Sequence, residues 1–161
     1  MSDVAARVDY VGAVYGSLLA ASVVAGASPS TDPPSPAALM TVLLATGVVF
    51  WLAHVYARLI GDRERDTEIG WRQVRSVGTF EWPIAEAAIP PAVVAAVGWV
   101  LGLSDSTTAW AALLVAVAGQ AGWGMVAAAR VGAPRRIVVV SGLANVFLGL
   151  IVVALKALLA H

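Results

Sequence analysis

Six polar residues lie within or at the ends of long stretches of Ala, Val, Leu and Gly: Asp9, His54, Arg58, Glu86, Gln120 and Asn145. An imidazole and a carboxylate at membrane depth can relay a proton or hold a cation between them. The carboxamides of Gln120 and Asn145 add carbonyl oxygens, and Arg58 can pair with a carboxylate or an anionic group. The remaining chemistry is restricted. There is no cysteine, so disulfides, thiolate nucleophiles and cysteine metal sites are excluded. No nucleophile with a base, no paired carboxylates and no metal-ligand spacing points to an enzyme. No cofactor is implied.

The elements that must position these residues are apolar helices. The chain has 161 residues, 60% hydrophobic and 12% charged, against about 25% charged in an ordinary soluble domain. A membrane span needs about 20 apolar residues, and the sequence offers five such stretches, roughly 9–27, 37–60, 83–102, 107–129 and 136–160. Backbone groups in hydrocarbon must be paired internally, and continuous apolar runs do not alternate as barrel strands do. The expected fold is therefore all-α, a single polytopic transmembrane bundle over residues 1–161. The third span carries Pro90 and Pro91 and is expected to kink there. The short chain leaves little for a separate soluble domain.

Arginine placement orients the bundle. With five alternating spans, Arg7, Arg58, Arg63, Arg65, Arg72, Arg75, Arg130, Arg135 and Arg136 fall on one side, and Lys156 lies near the other. Basic residues in short loops mark the cytoplasmic side, so the expected orientation is N-terminus inside and C-terminus outside, in the cell membrane. The most charged segment is the cytoplasmic loop 61–82. There Ile69, Trp71, Val74 and Val77 recur opposite Arg72 and Arg75. Two readings stand side by side: an interfacial helix on the anionic inner leaflet, and a solvated connector.

Counted at a rise of about 1.5 Å per residue, His54 lies roughly 9 Å from the cytoplasmic end of its span and Glu86 roughly 5–8 Å. Asn145 lies about 13 Å in and Gln120 about 15 Å. This clustering suggests a polar pocket open to the cytoplasm, lined by His54, Glu86 and Asn145 with Arg58 and Asp9 nearby. Each residue also has a local reading: Glu86 pairing with Arg58, His54 bonding a backbone carbonyl or Tyr hydroxyl, Asn145 joining helices, and Asp9 capping the first helix. Two functions follow. One is a small transporter or channel-like module for a proton or cation. The other is a membrane scaffold that packs against a partner, or against itself as a homo-oligomer, through faces containing Gly12, Gly16 and Gly98. The expected partners are the bilayer and anionic lipids at the arginine-rich loops. A formal net charge of zero argues against nucleic acid.

Overall fold

The structure is a computed structural model that describes residues 10–27, 32–61 and 70–159. Every described element is a helix: α1 Tyr10–Ala27, α2 Pro36–Gly61, α3 Trp71–Glu81, α4 Pro83–Glu86, α5 Ile89–Val100, α6 Asp105–Arg130 and α7 Arg135–Leu159. Four of these, α1, α2, α6 and α7, are long and apolar enough to cross a membrane, and a fifth span results if α3–α4 and α5 are taken as one bent unit.

The bend in that unit is displaced from its expected position. The break falls at Ala87–Ala88, and the segments Trp71–Glu86 and Ile89–Val100 meet at 45°. The cause is local. Pro90 and Pro91 lack the N–H groups that would close onto the carbonyls of Glu86 and Ala87, and a proline ring crowds the carbonyl four residues back. The chain therefore unwinds before the prolines, which then occupy the first turn of α5, where a missing N–H costs nothing. The break retains some bonding: Ala87 N–H donates to Pro83 O and Ala88 N–H to Ala85 O, both at 3.1 Å.

Other boundaries follow from caps. The Ser104 hydroxyl accepts from Thr107 N–H at 3.2 Å and opens α6. Both α5 and α6 end on a glycine at positive φ, Gly102 at 65° and Gly132 at 74°. Leu103 N–H then reaches back to Gly98 O and Ala133 N–H to Ala128 O, a Schellman closure that an L side chain at the glycine would strain.

Small residues set how closely the helices approach. α1 packs against α6, α4, α2 and α7. A Cβ at Gly16 would lie 2.5 Å from the Ile84 carbonyl oxygen, so α1 meets α4 backbone to backbone. Gly98 lies against the Thr108 side chain and Gly149 against the Val117 side chain. The Gly16 and Gly98 faces, for which packing within the chain and a scaffold or dimer surface are the two readings of the sequence, are thus occupied within the chain. The core between them is aliphatic, with Leu39, Leu43, Ala95, Ala112 and Leu113 almost wholly buried.

Ring contacts show which helix ends lie together. The Tyr10 ring, at the start of α1, lies beside Trp123 and within reach of the Arg130 guanidinium at the end of α6. Tyr15 lies against His54 near the end of α2. At the opposite end Lys156 of α7 lies over the Trp110 ring of α6. Arg58, Arg130, Arg135 and Arg136 therefore share one end of the bundle, and Lys156 is at the other. Arg72 and Arg75 belong to the first end as well, because α3 docks beside the C-terminal part of α2.

Candidate functional site at the arginine-rich end

Of the six polar residues singled out by sequence, the five that the structure describes do not gather in one pocket. His54 Nδ1 lies 2.9 Å from Phe50 O. A carbonyl only accepts, so Nδ1 carries the proton there, and the ring is covered by Tyr15 with centroids 5.2 Å apart. Asn145 Nδ2 donates to Ser141 O at 2.9 Å, and the side chain lies against Gly124. The neighbouring Ser141 hydroxyl donates across to Gly124 O at 3.0 Å. Asn145 thus belongs to the α6–α7 seam, away from the α1–α2 contact of His54. The Glu86 side chain is exposed at the end of α4. Asp9 lies outside the described residues.

Arg58 has a carboxylate partner, but it is not Glu86. Its Nη1 donates to Glu81 Oε1 at 2.6 Å, and the Glu81 side chain is only 6% exposed. The same guanidinium stands 4.5 Å from the centroid of the Phe80 ring. Gln120 is the exception to local satisfaction. It is fully buried in α6, and neither its Nε2 nor its Oε1 has a hydrogen-bond partner. It lies one residue from Gly119, which faces Ser17 of α1. Among the described residues, no three His, Asp or Glu side chains gather as a metal site would require.

The element that sequence left undecided in loop 61–82 is partly helical. α3 has Trp71, Val74, Arg75, Gly78 and Thr79 along one side, followed by Trp82, facing Trp51, Leu52 and Val55 of α2 across a groove of about 310 Å³. Arg75 therefore lies on the groove side and not opposite the apolar stripe; Ile69 lies outside the described residues. Besides the Arg58–Phe80 contact, three interactions fix α3 and the adjoining Trp82 to α2. The Trp51 indole N–H donates to Gly78 O at 2.8 Å, Trp51 and Trp82 meet edge to face at 5.4 Å, and the Arg58–Glu81 pair closes the junction. Gly78 lies directly against the Trp51 ring, where a Cβ would make ordinary van der Waals contact at 3.5 Å.

Sequence places Glu81 beside Trp82 at the mouth of the third span but gives no sign that it pairs with Arg58, and it does not single out Gly78. The spacing Trp71, Val74, Gly78, Trp82 was a usable signal, because residues at i, i+3, i+7 and i+11 share one helical face. The pairing of Arg58 with Glu81 spans 23 residues and carries no local signature. No family model, curated protein or solved structure matches the chain.

Proposed function

We propose that the chain is a five-span protein of the cell membrane, N-terminus cytoplasmic, whose work is binding at the inner membrane face. In this reading α4 and α5 make the fifth span, while α3 lies at the headgroup level and presents arginine and tryptophan to anionic lipid. The observation that carries it is the docking of α3 on α2 through Trp51–Gly78 and Arg58–Glu81, at the end where the described arginines gather. The placement of tryptophan supports the same frame. Trp71 and Trp82 are exposed at that end, and Trp99 and Trp110 near the other, as in the aromatic belts of membrane proteins. α6, at 26 residues, reaches about 39 Å, enough to cross about 30 Å of hydrocarbon.

A second reading, conduction of a proton or cation, is favoured by Gln120. A buried carboxamide without partners is uncommon and calls for an explanation such as a bound water or ion. Flux separates the two. With the protein reconstituted in liposomes, binding predicts that imposed proton and potassium gradients decay no faster than in empty vesicles. Accelerated decay that disappears in Gln120→Leu would replace the binding reading with conduction.

A further inference from the structure

We propose that the α2–α3 groove is a binding site for a single anionic glycerophospholipid of the inner leaflet, with an acyl chain against Trp51 and Trp82 and the phosphate on the Arg75 guanidinium. The inference rests on the membrane reading above and names the ligand of that same face.

The groove is apolar and laterally open. Leu52 is 53% exposed and Trp71 77%. Its volume of about 310 Å³ accepts part of one acyl chain. Two of its polar side chains are engaged within the chain, the Trp51 N–H by Gly78 O and the Thr79 hydroxyl by the carbonyls of Arg75 and Ser76; the Arg75 guanidinium is left for an anion. A peptide segment laid here would find a few donors and too few partners for its run of backbone N–H and C=O groups, which is costly at membrane depth. A hydrocarbon chain needs none.

Charge selects the headgroup. α3 contributes Arg72 and Arg75, and among the described residues neither makes an ion pair. Its one acid, Glu81, is engaged by Arg58. Among the described residues, no carboxylate lines the groove to hold the ammonium of a zwitterionic headgroup. Segment 62–69 carries both acids and arginines and lies outside the described residues, so the test acts on Arg75 directly.

The full chain is solubilised, stripped of lipid and titrated with phosphatidylglycerol and phosphatidylcholine, with bound lipids counted by native mass spectrometry. One phosphatidylglycerol is expected to be retained in preference to phosphatidylcholine. Arg75→Gln should weaken phosphatidylglycerol by about five-fold, the effect of one basic residue at a membrane surface, and leave phosphatidylcholine unchanged. Thr79→Phe, which places a ring in the groove, should abolish the preferred site for both lipids. Val74→Phe serves if Thr79→Phe misfolds, as judged by circular dichroism. Equal retention of both lipids overturns the proposal. So does loss in Arg75→Gln with full retention in both ring variants, because charge alone would then account for binding. Co-flotation with vesicles tests the membrane reading separately: a protein that floats yet shows no lipid preference leaves that reading standing and removes only the groove site.

Discussion

At the scale of single residues, the absence of a methyl group governs how α1 seats. Gly16 places its Cα so close to α4 that a Cβ would meet the Ile84 carbonyl at 2.5 Å and the Ala87 methyl at 2.9 Å. The obstacle is backbone, which cannot rotate aside. Gly16→Val should therefore destabilise the folded protein by about 1–3 kcal/mol, the usual range for overpacking, as a lower thermal midpoint in detergent. The corresponding change at Gly26, where a Cβ meets nothing within 4 Å, should move the midpoint far less. His54 and Asn145 show why residue chemistry was only partly legible. Their identity and depth were readable from sequence, and so was the backbone bond of His54 as one alternative. The helix junction each occupies was not, because depth along a helix does not specify which neighbour it faces. Their convergence with Glu86 on one pocket assumed facings that composition cannot supply.

At the scale of elements, α3 depends on few interactions. Trp71, Arg72, Arg75 and Phe80 are all exposed, and of its residues only Glu81 is buried. A helix of 11 residues is marginal alone, so its order derives from docking on α2. Removing Glu81 deletes a charge-assisted bond between α2 and α3. Glu81→Ala should raise amide hydrogen exchange across residues 71–81 by at least about ten-fold, with exchange in α6 unchanged. Equal loosening of both helices would show that α3 is integral to the bundle. The long helices α2, α6 and α7 were legible to within two residues because apolar length and caps determine them. The bend was less so. Sequence supplies the prolines, but their effect falls on the carbonyls four residues earlier, which shifts the break to Ala87–Ala88.

At the scale of the whole molecule, the central claim is an orientation: the arginine-rich end and α3 face the cytoplasm. In the folded bundle Tyr10 meets Arg130 while Lys156 meets Trp110, so the charge asymmetry read along the chain is also an asymmetry of the folded bundle. The chain has no native cysteine, so single-cysteine variants report without background. Ser76 on α3 and Ser106 at the start of α6 are both exposed and sit at opposite ends. The most direct measurement is labelling of Ser76→Cys and Ser106→Cys in intact cells with a membrane-impermeant maleimide. The account predicts that Ser106→Cys is labelled, while Ser76→Cys reacts only after the membrane is permeabilised. Labelling of Ser76→Cys in intact cells, with Ser106→Cys protected, would contradict it.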